Sequence, residues 1–498
     1  MRGVHRFFDK QTGFWLALAS VLMIGMGCIG KERYTVSTIR SEYGQTAVSR
    51  EANRTGAARP ARPDVPLRLS EVIDTAIANN PDLRQAVHRI AKAKAMKNMS
   101  GAAFWPVVGV YTEYTQGDAP SAYLFKTIDQ RQLPPDANFN DPGWFENWES
   151  GIQARMNLFN GGADYLKRRM ADQAVAISEL SRQAVANDLI AQAIAAYYDV
   201  LAARDFVDIA KASVQTVSEQ LRIIGVQYEG GAALKSDVLS LEVRLARARE
   251  ELVKSRNRLK LARAALANLM GLDPAEFSDT EKLLVAETKT PVNVPETYSE
   301  GLSYALENRP ELEKVRQQLI RSRMGLDAAK SSYLPRLDLM GKYYVDDPEM
   351  DYDRDRENWT AGLMLNWELF TGFSRQAAID KADAMLREML AADRQATLDV
   401  KLDVKSAYLN REAARARYTV AASSVESAEA SYQIVKTRYK GGSVTITRYL
   451  EAELDRNRAR IRSTAAFYDK IKADADLARA IGRLAGRNPQ LVKRQQAP

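Results

Sequence analysis

The residue types that carry most enzyme chemistry are scarce in this chain. Its 498 residues include two histidines, His5 and His88, and one cysteine, Cys28. A metal site of several histidines and cysteines, a cysteine–histidine dyad and an intramolecular disulfide cannot be assembled from this set. Acidic pairs are plentiful, but no nucleophile, phosphate-binding loop or metal cluster accompanies them. The sequence therefore predicts a protein that is not an enzyme and has no catalytic residues, metal or cofactor.

Cys28 is the residue whose surroundings suggest a specific modification. It follows a basic N-terminus and an apolar run at about residues 14–26, which has the outline of a secretory signal and is too short to span a bilayer. A bacterial lipoprotein signal places its lipidated cysteine directly after such a run. We therefore expect a signal peptide over 1–27 and lipidation at Cys28. Gly25 stands where leucine is usual, and the alternative is ordinary cleavage after Gly27 that leaves a free thiol.

The charged residues exclude one class of partner. Lysine and arginine number 71 and aspartate and glutamate 63, so both signs are dense and interspersed. This pattern is typical of solvated helix faces and not of a nucleic-acid surface. A hydrophobic content of 46% is enough for a large core. After the signal, no apolar run reaches the length of a transmembrane helix, so a membrane crossing would require a β-barrel.

The chain contains two copies of one plan. One set of residues recurs 229 positions later, and a second set further along recurs 211 positions later. The residues that recur are Ser70, Glu71, Ala76, Asn79, Pro81, Leu83 and Pro106 in the first set, and Phe159, Gly161, Tyr228, Gly230, Gly231 and Glu242 in the second. The change of displacement places 18 extra residues in the first copy, between Pro106 and Phe159. We therefore predict an internal tandem duplication.

Each copy contains two tracts with the period of two that is typical of β-strands, at about 106–160 and 335–371. Along 152–158 and 363–369, apolar side chains alternate with polar ones. Such strands suit a barrel with a lipid-facing outside and a wet lumen. Tryptophans near the strand ends would form an aromatic girdle, namely Trp105, Trp144, Trp148 and Trp359. The alternative is a soluble sandwich hairpin. Four strands cannot close a barrel, whereas three chains would supply twelve.

The rest of each copy is predicted to be a hairpin of very long helices. Residues 163–224 and 374–440 contain no glycine or proline. Each run is followed by a Gly-Gly turn, at 228–232 or 439–443, and by a second glycine-free and proline-free run. Because about 60 residues of helix reach about 90 Å, these helices must be coiled coils or hairpin arms.

The two return helices differ in their apolar pattern. The first keeps a strict spacing of four and three residues, which predicts left-handed supercoiling. Its members are Leu241, Leu245, Ala248, Leu252, Ser255, Leu259, Ala262, Leu266 and Leu269. The second has a stripe at positions that are not equivalent, namely Leu450, Leu454, Ile461, Tyr468 and Ile471. We therefore expect the two copies to pack differently.

A strand pair and a long helix hairpin, repeated behind a signal sequence, resemble the TolC-type outer-membrane efflux family. A lipidated Cys28 would place the chain in the lipoprotein branch of that family. The motifs that carry the likeness span about residues 67–487. They are Asn80-Pro81-Asp82-Leu83, Asn308-Arg309-Pro310-Glu311-Leu312, Asn160-Gly161-Gly162, Tyr228-x-Gly-Gly-x6-Val238-Leu239 and Tyr439-x-Gly-Gly-x6-Tyr449-Leu450-Glu451. The resemblance implies an α+β membrane protein, a homotrimer whose twelve-stranded transmembrane β-barrel, with four strands per chain, lies in outer-membrane lipid. The barrel would continue into a periplasmic α-helical coiled-coil barrel.

The same resemblance implies a passive exit duct for substrates delivered by an inner-membrane transporter and a periplasmic adaptor (membrane fusion) protein. The expected organisation follows the duplication: an extended N-terminal segment, a first repeat, an inter-repeat equatorial segment, a second repeat and a C-terminal tail. Their ranges are 28–66, 67–271, 272–297, 298–487 and 488–498. The main alternative is a structural coiled-coil adaptor or surface fibre, which would explain the heptads but not the four amphipathic strand tracts.

The resemblance places both Gly-Gly hairpins at the inner, periplasmic end, where three chains would build a closed tip or gate. The tip residues are Tyr228, Gly230, Gly231, Asp237, Tyr439, Gly441, Gly442, Arg448 and Glu451. Arg448 stands where similar members often have an acidic residue, so the cation selectivity of the family's tip is in question. A latch in which Arg448 pairs with Asp237 or Glu451 is one interpretation, and a plain surface pair with Glu451 is the other.

Overall fold

The computed structural model describes residues 35–43, 67–138, 140–275, 293–350 and 354–484. The signal peptide, Cys28, most of the inter-repeat segment and the C-terminal tail lie outside the described residues. The chain divides into two units, Met1–Val65 and Pro66–Pro498. In the first unit, residues 36–43 are helical. The prediction of an extended segment is wrong for this stretch, because the Thr35 hydroxyl accepts the backbone N–H of Thr38 and caps a helix.

In the second unit, each copy contributes helices and two strands in the same order. The first copy has α1 (Leu69–Asn79), α2 (Pro81–Gly101), β1 (Val107–Gly117), α3 (Pro120–Asp129), β2 (Phe145–Asn160), α4 (Ala163–Glu229) and α5 (Lys235–Leu269). The second has α6 (Tyr298–Asn308), α7 (Pro310–Lys330), β3 (Arg336–Asp347), β4 (Glu357–Asn366), α8 (Ser374–Lys440) and α9 (Ile446–Ala480). The long helices α4 and α8, and α5 and α9, begin and end 211 positions apart. Helix α3 lies in the longer loop of the first copy.

The break between α1 and α2 is hydrogen-bonded to the end of α5, the second helix of the hairpin in the same copy. Asn80 directly precedes Pro81, and its side-chain oxygen accepts a hydrogen bond from the backbone N–H of Leu83. The side-chain amide of Asn80 donates to the Leu269 carbonyl at 3.0 Å. At the equivalent point of the second copy, the Arg309 guanidinium donates to the Ala480 carbonyl at 3.1 Å. Different side chains therefore make the equivalent contact in the two copies. Each donates to a backbone carbonyl that the end of a helix leaves without an intrahelical partner.

The hairpin arms have the predicted length. Helices α4 and α8 have 67 residues each and α5 and α9 have 35, so they extend about 100 Å and about 50 Å. On α5 the predicted seam is buried or partly buried along its whole length. On α9, Leu450, Tyr468 and Ile471 of the stripe are buried, whereas Leu454 and Ile461 are exposed in the single chain. Helix α9 packs on α4 as well as on α8, so its buried face is rotated relative to the stripe. Within the described residues, no helix is both long and apolar enough to cross a membrane.

The strands form one antiparallel sheet in the order β1-β2-β3-β4. Its register pairs Thr112 with Ser150 and Trp148 with Asp347. Because side chains alternate along a strand, Ile152 and Gln153 lie on opposite faces. One face carries mainly apolar side chains, and the other, named here the polar face, carries mainly charged and amide side chains. The polar face includes Asn147, Glu149, Gln153, Arg155, Asn157, Asp338, Lys342, Asp346, Asn358 and Thr360.

The second strand pair ends before the predicted residue 371. Strand β4 stops at Asn366, the partner of Arg336, where β3 begins. Beyond Asn366 the described residues offer no further strand pairing, so Trp367 and Leu369 are not part of the sheet. The Trp367 indole N–H instead donates to the carbonyl of Tyr333 at 3.1 Å.

Candidate functional site

The two Gly-Gly hairpins turn in the same way. Gly231 and Gly442 have φ of +74° and +72°, a left-handed conformation that glycine adopts without a steric cost. The N–H of Gly231 donates to the Tyr228 carbonyl at 3.0 Å, and the N–H of Gly442 donates to the Tyr439 carbonyl at 3.0 Å. Each preceding glycine, Gly230 or Gly441, ends its long helix. The sequence repeat therefore encodes a repeated reversal of the chain.

A core of apolar and aromatic side chains joins the two hairpins. It contains Val217, Ile224, Leu241, Leu245, Tyr432, Val435, Ile446, Tyr449, Leu450 and Ala452. The hydroxyl oxygens of Tyr432 and Tyr449 lie 3.1 Å apart, and the ring of Tyr439 stacks on Tyr449 with centroids 5.0 Å apart. The Arg456 guanidinium lies 3.8 Å from the centre of the Tyr432 ring. Burial and the neighbouring Tyr432 raise the pKa of Tyr449, so the Tyr449 hydroxyl stays protonated at neutral pH.

The structure brings Tyr439 and Asp237 together from different hairpins. Tyr439 is partly buried against the shared core, and burial followed by the negative charge of Asp237 raises its pKa. Across the first turn, the Lys235 ammonium lies 5.4 Å from the centre of the Tyr228 ring. The first hairpin therefore supplies an acid and a cation beside the aromatic residues that end the two long helices.

Arg448 and Glu451 form a pair on the surface of α9. The guanidinium and the carboxylate are 3.4 Å apart, and both side chains are more than half exposed. The N–H of Arg448 donates to the Thr445 hydroxyl, which caps the helix. Within one chain this is the surface-pair interpretation, and it leaves both side chains accessible to a neighbouring copy.

Glu453 is a site residue that the sequence interpretation missed. Its side chain is 3% exposed, and its Oε1 has no hydrogen-bond partner. Burial raises the pKa of the carboxyl, although the positive charges of Arg456 and Arg244 oppose that shift. Its repeat partner Glu242 is exposed. The recurrence of this acid in both copies was the available signal, but only the fold shows which of the two is buried.

At the end of the second unit away from the hairpin turns, a charged cluster lies on the polar face. Glu149 accepts hydrogen bonds from Tyr111 at 2.6 Å and from the Lys126 ammonium at 2.7 Å, and it also pairs with Lys342. Asp346, which is fully buried, accepts from Lys126 at 2.9 Å. The sequence interpretation did not find this cluster, because its centre, Lys126, lies on the unpredicted helix α3.

Comparison with known proteins places these features in context. The family model described as outer membrane efflux protein matches residues 72–272 and 301–483. Protein CyaE of Bordetella pertussis is 25% identical over 399 residues, covering 80% of each chain. The pyoverdine export outer membrane protein OpmQ of Pseudomonas aeruginosa is 22% identical over 415 residues, covering 83% of this chain and 85% of OpmQ. The Campylobacter jejuni CmeC outer membrane channel has a TM-score of 0.75 at 17% identity, covering 86% of this chain and 89% of CmeC. The matched ranges contain both strand pairs and both hairpin turns.

Proposed function

This chain belongs to the outer membrane efflux protein family, and on that premise we propose that three copies of it assemble into one channel. It is an outer-membrane channel of an efflux or secretion system. The resemblance found in the sequence is thereby confirmed, and the family favours this function over a structural coiled-coil adaptor or a surface fibre. The family consists of channel proteins, so we assign the chain passive conduction and no catalysis.

The observation that carries the assembly is the sheet. Strands β1 and β4 are its two edges, and among the described residues of one chain their outer backbone groups have no strand partner. In lipid each such group would cost several kcal/mol, so the edges must be closed by other chains. The apolar face supports a lipid contact, because Val110, Trp359 and Leu363 are between 66% and 81% exposed. Three four-stranded sheets give a closed twelve-stranded barrel with the polar face inside.

The helical arms support the same assembly. Helix α8 exposes large apolar side chains along its length in the single chain, an arrangement that suits packing against a second copy. These are Met385, Leu390, Leu398, Leu402, Leu409, Val420 and Ile434. Closing three pairs of hairpins through such faces produces a tube of long helices below the barrel.

The partners follow from the position of the hairpin turns. They lie at the far ends of the arms from the sheet, and therefore reach into the periplasm toward an adaptor protein and an inner-membrane transporter. Tyr439, Asp237, Arg448 and Glu451 would form the gate at this tip. Lipidation at Cys28 would add an anchor in the outer membrane. The pump selects the substrate, and the duct conducts what it receives.

Reconstitution in planar bilayers tests the proposal. The purified full chain should produce discrete, ohmic conductance steps, because a wet polar lumen conducts ions. Extracts prepared identically from cells that lack the protein are the control. Incorporation of both the wild type and the tip variant Arg448→Ala without any conductance step would contradict the channel assignment.

A further inference from the structure

Helix α3 occupies an unusual place, because it lies against the polar face of the sheet. It belongs to the segment 118–144 that joins β1 to β2, at the end of the sheet away from the helical arms. The corresponding segment of the second copy, 348–356, is shorter and has a 3₁₀ turn, Arg354–Arg356, in its described part. Part of the additional length of the first copy therefore folds back over the sheet as helix α3.

The attachment of α3 is polar and buried. Lys126 donates to Glu149 on β2 at 2.7 Å and to Asp346 on β3 at 2.9 Å. Just after the helix, the Gln130 amide donates to the Asn147 side chain at 2.9 Å. Asn147 in turn donates to Asp346 at 2.6 Å. Gln130, Asn147 and Asp346 are each at most 2% exposed, so water is excluded from this contact.

A second contact extends the attachment to the edge strand. The Arg131 guanidinium donates to the Asn358 side chain on β4 at 3.1 Å, and Asn358 donates to the Asp129 carbonyl at 3.4 Å. Asn147, Glu149, Asp346 and Asn358 all belong to the polar face. The side of α3 that points away from the sheet exposes Phe125 and Ile128. The helix therefore covers charged groups and presents apolar ones.

We propose that α3 is a lid over the outer mouth of the channel, held against the lumen wall by Lys126. This inference rests on the proposed function, because that function makes the polar face the lumen wall. Three copies of α3, one from each chain, then project apolar side chains into the outer opening and narrow it. Because charge-assisted contacts in a buried site hold the helix, loss of Lys126 releases it and widens the mouth.

Thiol labelling from outside intact cells tests the lid. The parent variant is Gln153→Cys, which places a thiol on the polar face, further from the outer end of the sheet than Glu149. A small thiosulfonate reagent and a bulky maleimide polymer are applied separately. The wild type, whose only cysteine is Cys28, gives the background labelling. Two releasing variants are compared in this parent: Lys126→Met, and replacement of 118–144 by the sequence of 348–356. The matched control is Lys254→Met, which removes an exposed lysine of α5.

The lid predicts that the small reagent labels Gln153→Cys in every background and that the bulky polymer labels the parent slowly. Polymer labelling should rise about tenfold or more in both releasing variants and stay at the parent rate in the control. Equal polymer labelling in all backgrounds would overturn the lid while leaving the channel intact. Failure of the small reagent to reach the thiol from outside in any background would overturn the lumen assignment and, with it, the proposed function. If Lys126→Met prevents assembly, the variant with 118–144 replaced still shows whether removal of α3 widens the mouth.

Discussion

The hydroxyl oxygens of Tyr432 and Tyr449 lie 3.1 Å apart and join the two helices of the second hairpin just before its turn. This contact lies in the core shared by both hairpins, so it couples the position of one tip to that of the other. Helix ends held by few contacts open most easily, and the tip depends on a small number of aromatic side chains. We therefore expect the ends of the two hairpins to become less stable when one of these hydroxyls is removed.

Replacing Tyr432→Phe removes one hydroxyl and leaves that of Tyr449 buried. We expect the hairpin to lose about 1 kcal/mol of local stability, because the remaining hydroxyl loses its hydrogen bond. Hydrogen exchange of peptides that span the second turn should be faster, whereas peptides from the sheet should be unchanged. Tyr165→Phe, at an exposed position on α4, is the matched control. Unchanged exchange at the turn would show that the hydroxyl contact does not stabilise the tip.

Replacing Arg448→Ala tests the gate. If Arg448 pairs with an acid across the tip of the trimer, its loss should loosen the closed end and raise single-channel conductance. High salt should partly reproduce the effect in the wild type by screening the charges. Arg448→Glu should shift ion selectivity toward cations, and Tyr439→Phe should raise conductance if its hydroxyl contributes to the closed state. Arg323→Ala, an exposed arginine on α7, is the control.

One outcome of these measurements would contradict the gate. Conductance and selectivity that remain unaltered in all these variants, with trimers intact, would leave Arg448 and Glu451 as a surface pair. Such exposed pairs contribute a few tenths of a kcal/mol and do not gate a channel.

Glu453 predicts a pH dependence of tip stability. Burial raises the pKa of this carboxyl above 4.5, so the folded tip binds a proton more tightly than the unfolded chain does. Stability should therefore fall as pH rises through the folded pKa, since the charged carboxylate is the disfavoured form. Glu453→Gln should remove this contribution and raise the unfolding temperature at neutral pH. Glu242→Gln, at the exposed equivalent position, should change neither.

The measurement for Glu453 is the difference in unfolding temperature between variant and wild type, taken across a pH series, so that contributions from other carboxyls cancel. A difference that does not depend on pH would contradict the assignment.

Much of this architecture could be predicted from the sequence because its determinants are local. Gly-Gly pairs, proline breaks and the seam on α5 depend on residues within a few turns of one another. Lys126 and Glu453 could not be found in this way. The anchoring of α3 depends on Asp346, 220 residues away, and the burial of Glu453 depends on how α9 packs against other helices. The same packing turned the buried face of α9 away from Leu454.

Lipidation at Cys28 is a prediction about the mature chain. The sole cysteine follows the apolar run of the signal, where acylation would create a new N-terminus. Intact-mass measurement of the purified mature protein should give a chain that begins at Cys28 and carries an added acyl mass. Cys28→Ser should abolish that mass. A start at another residue, or a start at Cys28 without an acyl mass, would contradict it.

The central claim is that three chains close one barrel, and native mass spectrometry in detergent tests it most directly. Because β1 and β4 are edge strands without a partner in the part of the chain that the structure describes, the full-length protein should appear as one dominant species of three chains. A stable monomer that still forms conducting channels would contradict the twelve-stranded assembly.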